Sequence, residues 1–168
     1  MAKFHHSFKL FKESPIGCIY TCGETSAQID FVSDSCVRVA VYKDANRMLP
    51  TFSINPENTV LPKPRHRLCT DGFSLFAPQI TNTAGGAQFD LPNNRKIVLN
   101  TENFLLQYYQ NDTLLFADRA PLAYNFENEF GKETYHYLTR SPEERIFGLG
   151  DKAGSLDKAG KAFRIETA

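Results

Sequence analysis

Period-two alternation of apolar and polar residues, a rich supply of bulky aromatics and closely spaced turn formers predict an all-β chain folded as an antiparallel β-sandwich. The alternation is clearest where Val37, Val39 and Val41 share one strand face and Arg38, Ala40 and Tyr42 the other. No window sustains the three-and-four spacing of an amphipathic helix. The chain has 14 Phe and 7 Tyr but no Trp, a supply that suits packed strands better than exposed helices. Its 168 residues fit one core, so the expected organisation is a single domain over 1–168.

In chain order, residues 7–11, 18–21, 27–32, 36–42, 73–77, 96–99 and 134–138 read as short strands. Between them lie Gly23, Asp71-Gly72, Gly85-Gly86 and Asn93-Asn94, which accept the dihedrals that reverse a chain. Two apolar runs, 104–109 and 113–117, flank the reversal Gln110-Asn111-Asp112 and predict a hairpin. Pro50, Pro56, Pro62 and Pro64 crowd one stretch, where fixed dihedrals and missing amide donors disfavour a central strand and predict a surface path. Many short strands punctuated by turns favour two packed antiparallel sheets.

Composition narrows the function. Lys plus Arg equal Asp plus Glu at 19 each, so no net field draws in nucleic acid or anionic lipid. No segment approaches the roughly 20 apolar residues of a membrane span, and the amino terminus lacks the apolar stretch of a secretory signal, which leads us to expect a cytoplasmic protein. Cys18, Cys22, Cys36 and Cys69 match neither a disulfide framework nor a paired zinc knuckle, so free thiols and no metal are expected. Adjacent His5 and His6 point to opposite strand faces. His66 and His136 have no partner visible in the sequence for general base chemistry. Asn111-Asp112-Thr113 is formally a glycosylation site but reads better as hairpin turn chemistry.

The informative segment is 142–164, Pro-Glu-Glu-Arg-Ile-Phe-Gly-Leu-Gly-Asp-Lys-Ala-Gly-Ser-Leu-Asp-Lys-Ala-Gly-Lys-Ala-Phe-Arg. Its Gly148-Leu149-Gly150 formally fits a loose dinucleotide fingerprint, but Gly154 and Gly160 would weaken the helix that must follow by about 1 kcal/mol each. The spacing from Gly154 to Gly160, with no Ser or Thr after Lys161, rules out a phosphate loop. No cofactor is therefore expected.

From Glu144 to Arg164 the segment resembles the amino-terminal domain of glycoside hydrolase family 31, which includes the α-glucosidases. Members carry an aromatic-Tyr-Gly-Leu-Gly-Glu-Lys-Thr-Gly stretch, then Leu, a variable basic loop and an aromatic-Arg pair. Phe147 to Gly154 and Phe163-Arg164 follow that order, with Asp151 in place of the usual Glu and Ile146-Phe147 in place of the aromatic pair. The stretch from Ser33 and the hairpin 103–118 resemble the family's early strand and later hairpin more loosely.

The resemblance implies a galactose-mutarotase-like supersandwich that precedes a (β/α)8 barrel holding two catalytic aspartates. Retaining glycoside hydrolysis needs two carboxyl groups about 5 Å apart, and such a barrel takes about 250 residues, more than this chain offers. No catalytic residue is expected here, and the chain is expected to be truncated before the barrel and inactive alone. Phe147, Gly148, Leu149, Gly150, Gly154, Phe163 and Arg164 are then a structural joint to the barrel. Asp151, Lys152, Asp157, Lys158 and Lys161 are candidates to contact sugar at the rim of its pocket, Asp151 and Lys152 foremost, against the plainer reading of all five as solvated loop charges.

The implied function is a non-catalytic sandwich that supports the barrel of an enzyme cleaving α-glucosidic bonds in oligosaccharides. Its expected partners are that barrel, the parent's oligosaccharide and, through the face left uncovered, a second copy in a homodimer. The competing reading is a stand-alone carbohydrate-binding module, against which the lack of Trp weighs. An immunoglobulin-type interaction sandwich lacks its Cys-Trp-Cys arrangement.

Overall fold

The computed structural model describes residues 7–61, 63–121, 123–125, 135–148 and 154–162. The chain forms two compact units, Met1–Leu138 and Thr139–Ala168. The first unit is all-β. β1 (Lys9–Ser14), β2 (Gly17–Cys22), β3 (Thr25–Phe31) and β4 (Val37–Tyr42) form a four-stranded antiparallel meander. β5 (Gln79–Thr83), β6 (Gly86–Leu91), β7 (Arg95–Asn100), β8 (Leu105–Gln110) and β9 (Thr113–Ala117) form a five-stranded one. β10 (Tyr124–Asn125) and β11 (Tyr135–His136) make a short pair. Among the described residues the only helical element is a single 3-10 turn, Ala45–Arg47.

Alternation decides which face of each strand is buried. Cys18 and Tyr20 on β2 and Ala27, Ile29 and Phe31 on β3 point inward, with Val37, Val39 and Val41 packed behind them. They meet Ala87 and Phe89 on β6, Ile97 and Leu99 on β7 and Leu106 on β8 in one apolar cluster. Phe31 and Phe89 join the two sheets with ring centroids 5.3 Å apart, a tilted pair worth about 0.5–1.5 kcal/mol beyond its buried area. The antiparallel sandwich read from the sequence is thus the fold.

Turn chemistry sets the registers. Asn111 and Asp112, at φ 47° and 60°, close the β8–β9 hairpin as a two-residue turn, the geometry that matches strand twist. Gly86 serves another purpose than reversal: a Cβ there would lie 1.7 Å from the Leu99 carbonyl oxygen, so only glycine lets β6 lie against β7. The expected strand at 73–77 is absent, because this stretch runs as coil and the Phe76 N–H donates to the carbonyl of Phe31, the last residue of β3. Its place is taken by β5, whose polar Gln-Ile-Thr-Asn-Thr sequence suits an exposed edge. The first strand lies two residues later than expected, since the Ser7 and Phe8 amides donate to the Glu102 and Thr101 carbonyls. The proline-rich stretch follows a largely exposed path with one bridge, Thr51 to Arg65.

A buried ion pair fastens a loop to the outer face of the four-stranded sheet. Arg38 and Asp30 sit opposite each other on β4 and β3, and Arg38 donates to Asp30 Oδ2 from Nε at 3.0 Å and from Nη2 at 2.8 Å. The same guanidinium donates to the carbonyls of Arg67, Leu68 and Cys69 at 2.8–2.9 Å. Gln28 supplies further donors to Asp30 and is itself held by Tyr42.

Candidate functional site

In the second unit, Asp157 organises the glycine-punctuated segment. Its Oδ1 accepts from the Ala159 amide at 2.9 Å and the Ile146 amide at 3.1 Å, and its Oδ2 accepts from Arg145 Nη1 at 2.9 Å. The Lys158 amide donates to the Ile146 carbonyl at 2.7 Å, so residues 145–146 and 157–159 are laced together. The Ala159 amide foremost, then Arg145 and the Ile146 amide, hold the Asp157 carboxyl down at about 2. Ser155 Oγ donates to the Asp157 carbonyl and accepts from Lys161 Nζ.

Gly148 and Gly154 have φ of 116° and 107°, backbone that side-chain-bearing residues rarely adopt, and neither would meet a close neighbour with an added Cβ. They are required by conformation, not by space. Phe147 is 61% and Leu156 79% exposed, so this unit carries apolar surface outward. Asp157 is partly exposed but its carboxylate is committed to the lacing, and Lys158 is buried. Asp151, Lys152, Leu149, Gly150, Phe163 and Arg164 lie outside the described residues.

A second cluster was invisible in the sequence. Asp118, just past β9, accepts from the Leu106 amide at 2.9 Å and pairs with His136 Nε2 at 2.7 Å, its side chain 1% exposed. The His136 ring stacks on Tyr124 with centroids 4.2 Å apart and planes within 5°. Burial foremost, then the Asp118 charge, pushes the Tyr124 phenol above the tyrosine range and Tyr108 up to about 12. His136 therefore does have a carboxylate partner, 18 residues distant in the chain. The arrangement fastens β11 to the end of β9; neither residue lines the polar cleft at the β6–β9 turns.

Among the described residues no cluster of three or more His, Cys, Asp or Glu is placed to hold a metal ion. None of the four cysteines forms a disulfide, and burial pushes the Cys18 thiol up to about 12. No described helix is long and apolar enough to cross a membrane.

Fold and site define a class, an antiparallel β-sandwich domain followed by a glycine-punctuated segment laced around one aspartate. Residues 26–168 match the glycosyl hydrolase 31 N-terminal galactose mutarotase-like domain, and the chain belongs to that family. Among solved structures, the glycoside hydrolase family 31 dextranase of Flavobacterium johnsoniae complexed with glucose superposes with a TM-score of 0.66 at 16% identity. A mutant of the same dextranase complexed with isomaltotriose gives 0.68 at 17%. Each comparison covers 96% of this chain and 18% of the dextranase chain, so this chain spans under a fifth of that enzyme's length. No curated protein sequence matches the chain.

Proposed function

We propose that this domain is the non-catalytic N-terminal sandwich of a retaining family 31 glycoside hydrolase that cleaves α-glucosidic bonds in oligosaccharides, working in the cytoplasm. The observation that carries the reading is the family match over 26–168, which runs through the laced segment. The sandwich supplies a rigid base, and the segment around Asp157 forms the joint on which the catalytic barrel rests. Phe147 and Leu156, exposed here, supply apolar contact to that barrel. Asp151 and Lys152, in the same segment, reach the rim of its sugar pocket. An α-glucosidase and a dextranase both cleave α-glucosidic bonds, and both specificities fit this role.

The test is glucose release from maltotriose and isomaltotriose by the longer protein that carries this domain, with the anomeric configuration of the product followed by NMR. The proposal expects cleavage of at least one of the two sugars with retained configuration. A longer protein that cleaves neither, or that inverts, overturns it.

A further inference from the structure

The outer face of the five-stranded sheet carries a polar ladder. Strand register places Asp90 opposite Lys96, Lys96 opposite Tyr109, and Gln88 one step along on the same face. At the turn end of this ladder the β6–β7 and β8–β9 turns lie side by side, joined by the Asn111 amide donating to the Asn94 carbonyl at 2.9 Å. The ladder and the turns border an open cleft of about 570 Å³ lined by Gln88, Asp90, Asn94, Lys96, Asn111 and Asp112, with Leu91 and Arg95 beside them. This volume lies within the range of small-ligand sites.

The lining is unusual in its balance. Asp90 and Asp112 are matched by Arg95 and Lys96, so the cleft has no net charge to offer a phosphate or a nucleic acid backbone. Its cations are also engaged: Lys96 Nζ donates to Asp112 Oδ1 at 2.6 Å, and Arg95 donates to the carbonyls of Pro92 and Asp34 at 2.9 and 3.0 Å. Gln88 Nε2 fixes Asp90 through Oδ1 at 2.8 Å, and among the described residues no side chain donates to Asp90 Oδ2 or Gln88 Oε1. Asn94 and Asn111 add two side-chain amides, joined by Asn94 Nδ2 donating to Asn111 Oδ1 at 3.3 Å, which leaves Asn94 Oδ1 to accept and Asn111 Nδ2 to donate. Tyr109, outside this lining, packs its ring under Lys96 with the ammonium 5.4 Å from the ring centroid and so steadies the lysine.

Sugar hydroxyls donate and accept at once, so they suit a neutral set of carboxylates and amides held rigid by neighbours. We infer that this cleft is a surface subsite for a neutral oligosaccharide, which holds a glucan chain against the outer face of the five-stranded sheet. The choice of an α-glucan rests on the function proposed above; the cleft's preference for a neutral polyol does not.

The experiment is a titration of the ¹⁵N-labelled 168-residue chain with isomaltotriose and with maltotriose, followed by amide shifts, with inorganic phosphate as control. Saturating shifts at Gln88, Asp90, Lys96 and Asn111, shared by at least one sugar and absent with phosphate, are expected. Asp90→Ala should weaken binding about tenfold or more, and Asp90→Asn should restore part of it. Gln88→Ala provides a second variant, read on the same shifts, should Asp90→Ala lose its dispersed spectrum. No saturation by either sugar, shifts centred elsewhere, or equal binding of phosphate would each overturn the inference. The parent's hydrolysis is read on glucose release, so the failure of this subsite leaves that reading untouched.

Discussion

Removing the Arg38 guanidinium should be among the most damaging single changes outside the apolar core. Arg38→Ala deletes two bonds to Asp30 and three to the carbonyls of residues 67–69. The Asp30 side chain is only 9% exposed and keeps a single side-chain donor, Gln28 Nε2. Stranding a buried charge costs about 3–5 kcal/mol; since the 67–69 loop can lift and admit water, about 2–4 kcal/mol is the expected loss. With a urea slope of about 2 kcal/mol/M, the unfolding midpoint should fall by about 1–2 M. On an Asp30→Asn background the same substitution should cost at least about 1 kcal/mol less, because no charge is then left behind. A loss within about 0.5 kcal/mol of zero for the single variant, the scale of ordinary surface changes, would refute this account of the pair.

Other outcomes follow from the same reasoning. Phe89→Ala removes the partner of Phe31 at the centre of the sandwich and should cost about 3–5 kcal/mol in urea unfolding. Asp157 is held below its unfolded value of 3.8, so its contribution is complete above that value and is lost as pH falls through about 2; the Ile146 and Ala159 amide shifts should move together over that window. Cys18 and Tyr108 are raised to about 12, so stability present below their unfolded values of 9.0 and 10.0 should decline as pH rises toward 12, a loss readable as a falling urea midpoint. Gly148→Ala places a side chain at φ 116° and should perturb the Ile146 and Ala159 amides while leaving the sandwich amides unmoved.

The sandwich was legible wherever one face of a strand is apolar and the other polar, as in Val37–Tyr42, and wherever turn residues dictate φ, as at Asn111-Asp112. It was obscured where those signals conflict. Phe73-Ser-Leu-Phe-Ala is as apolar as a strand, but its pairing is confined to one amide at the end of β3. Gly86 looked like a turn residue and instead opens β6, whose Ala87, Phe89 and Leu91 alternate properly. The Arg38 network, the Asp118–His136 pair and the Asp90–Lys96–Tyr109 ladder depend on strand register and on contacts between distant segments, which periodicity does not encode. The family resemblance came from the segment after residue 144, where glycines at positive φ and Asp157 leave a local signature.

The central claim is that this domain supports catalysis performed by other residues. The most direct measurement is glucose release from isomaltotriose and maltotriose by the purified 168-residue chain alone, at high protein concentration and over long incubation. The account predicts no release above the uncatalysed background from either sugar. Sustained turnover that persists through repurification and disappears with a substitution in this chain would contradict it.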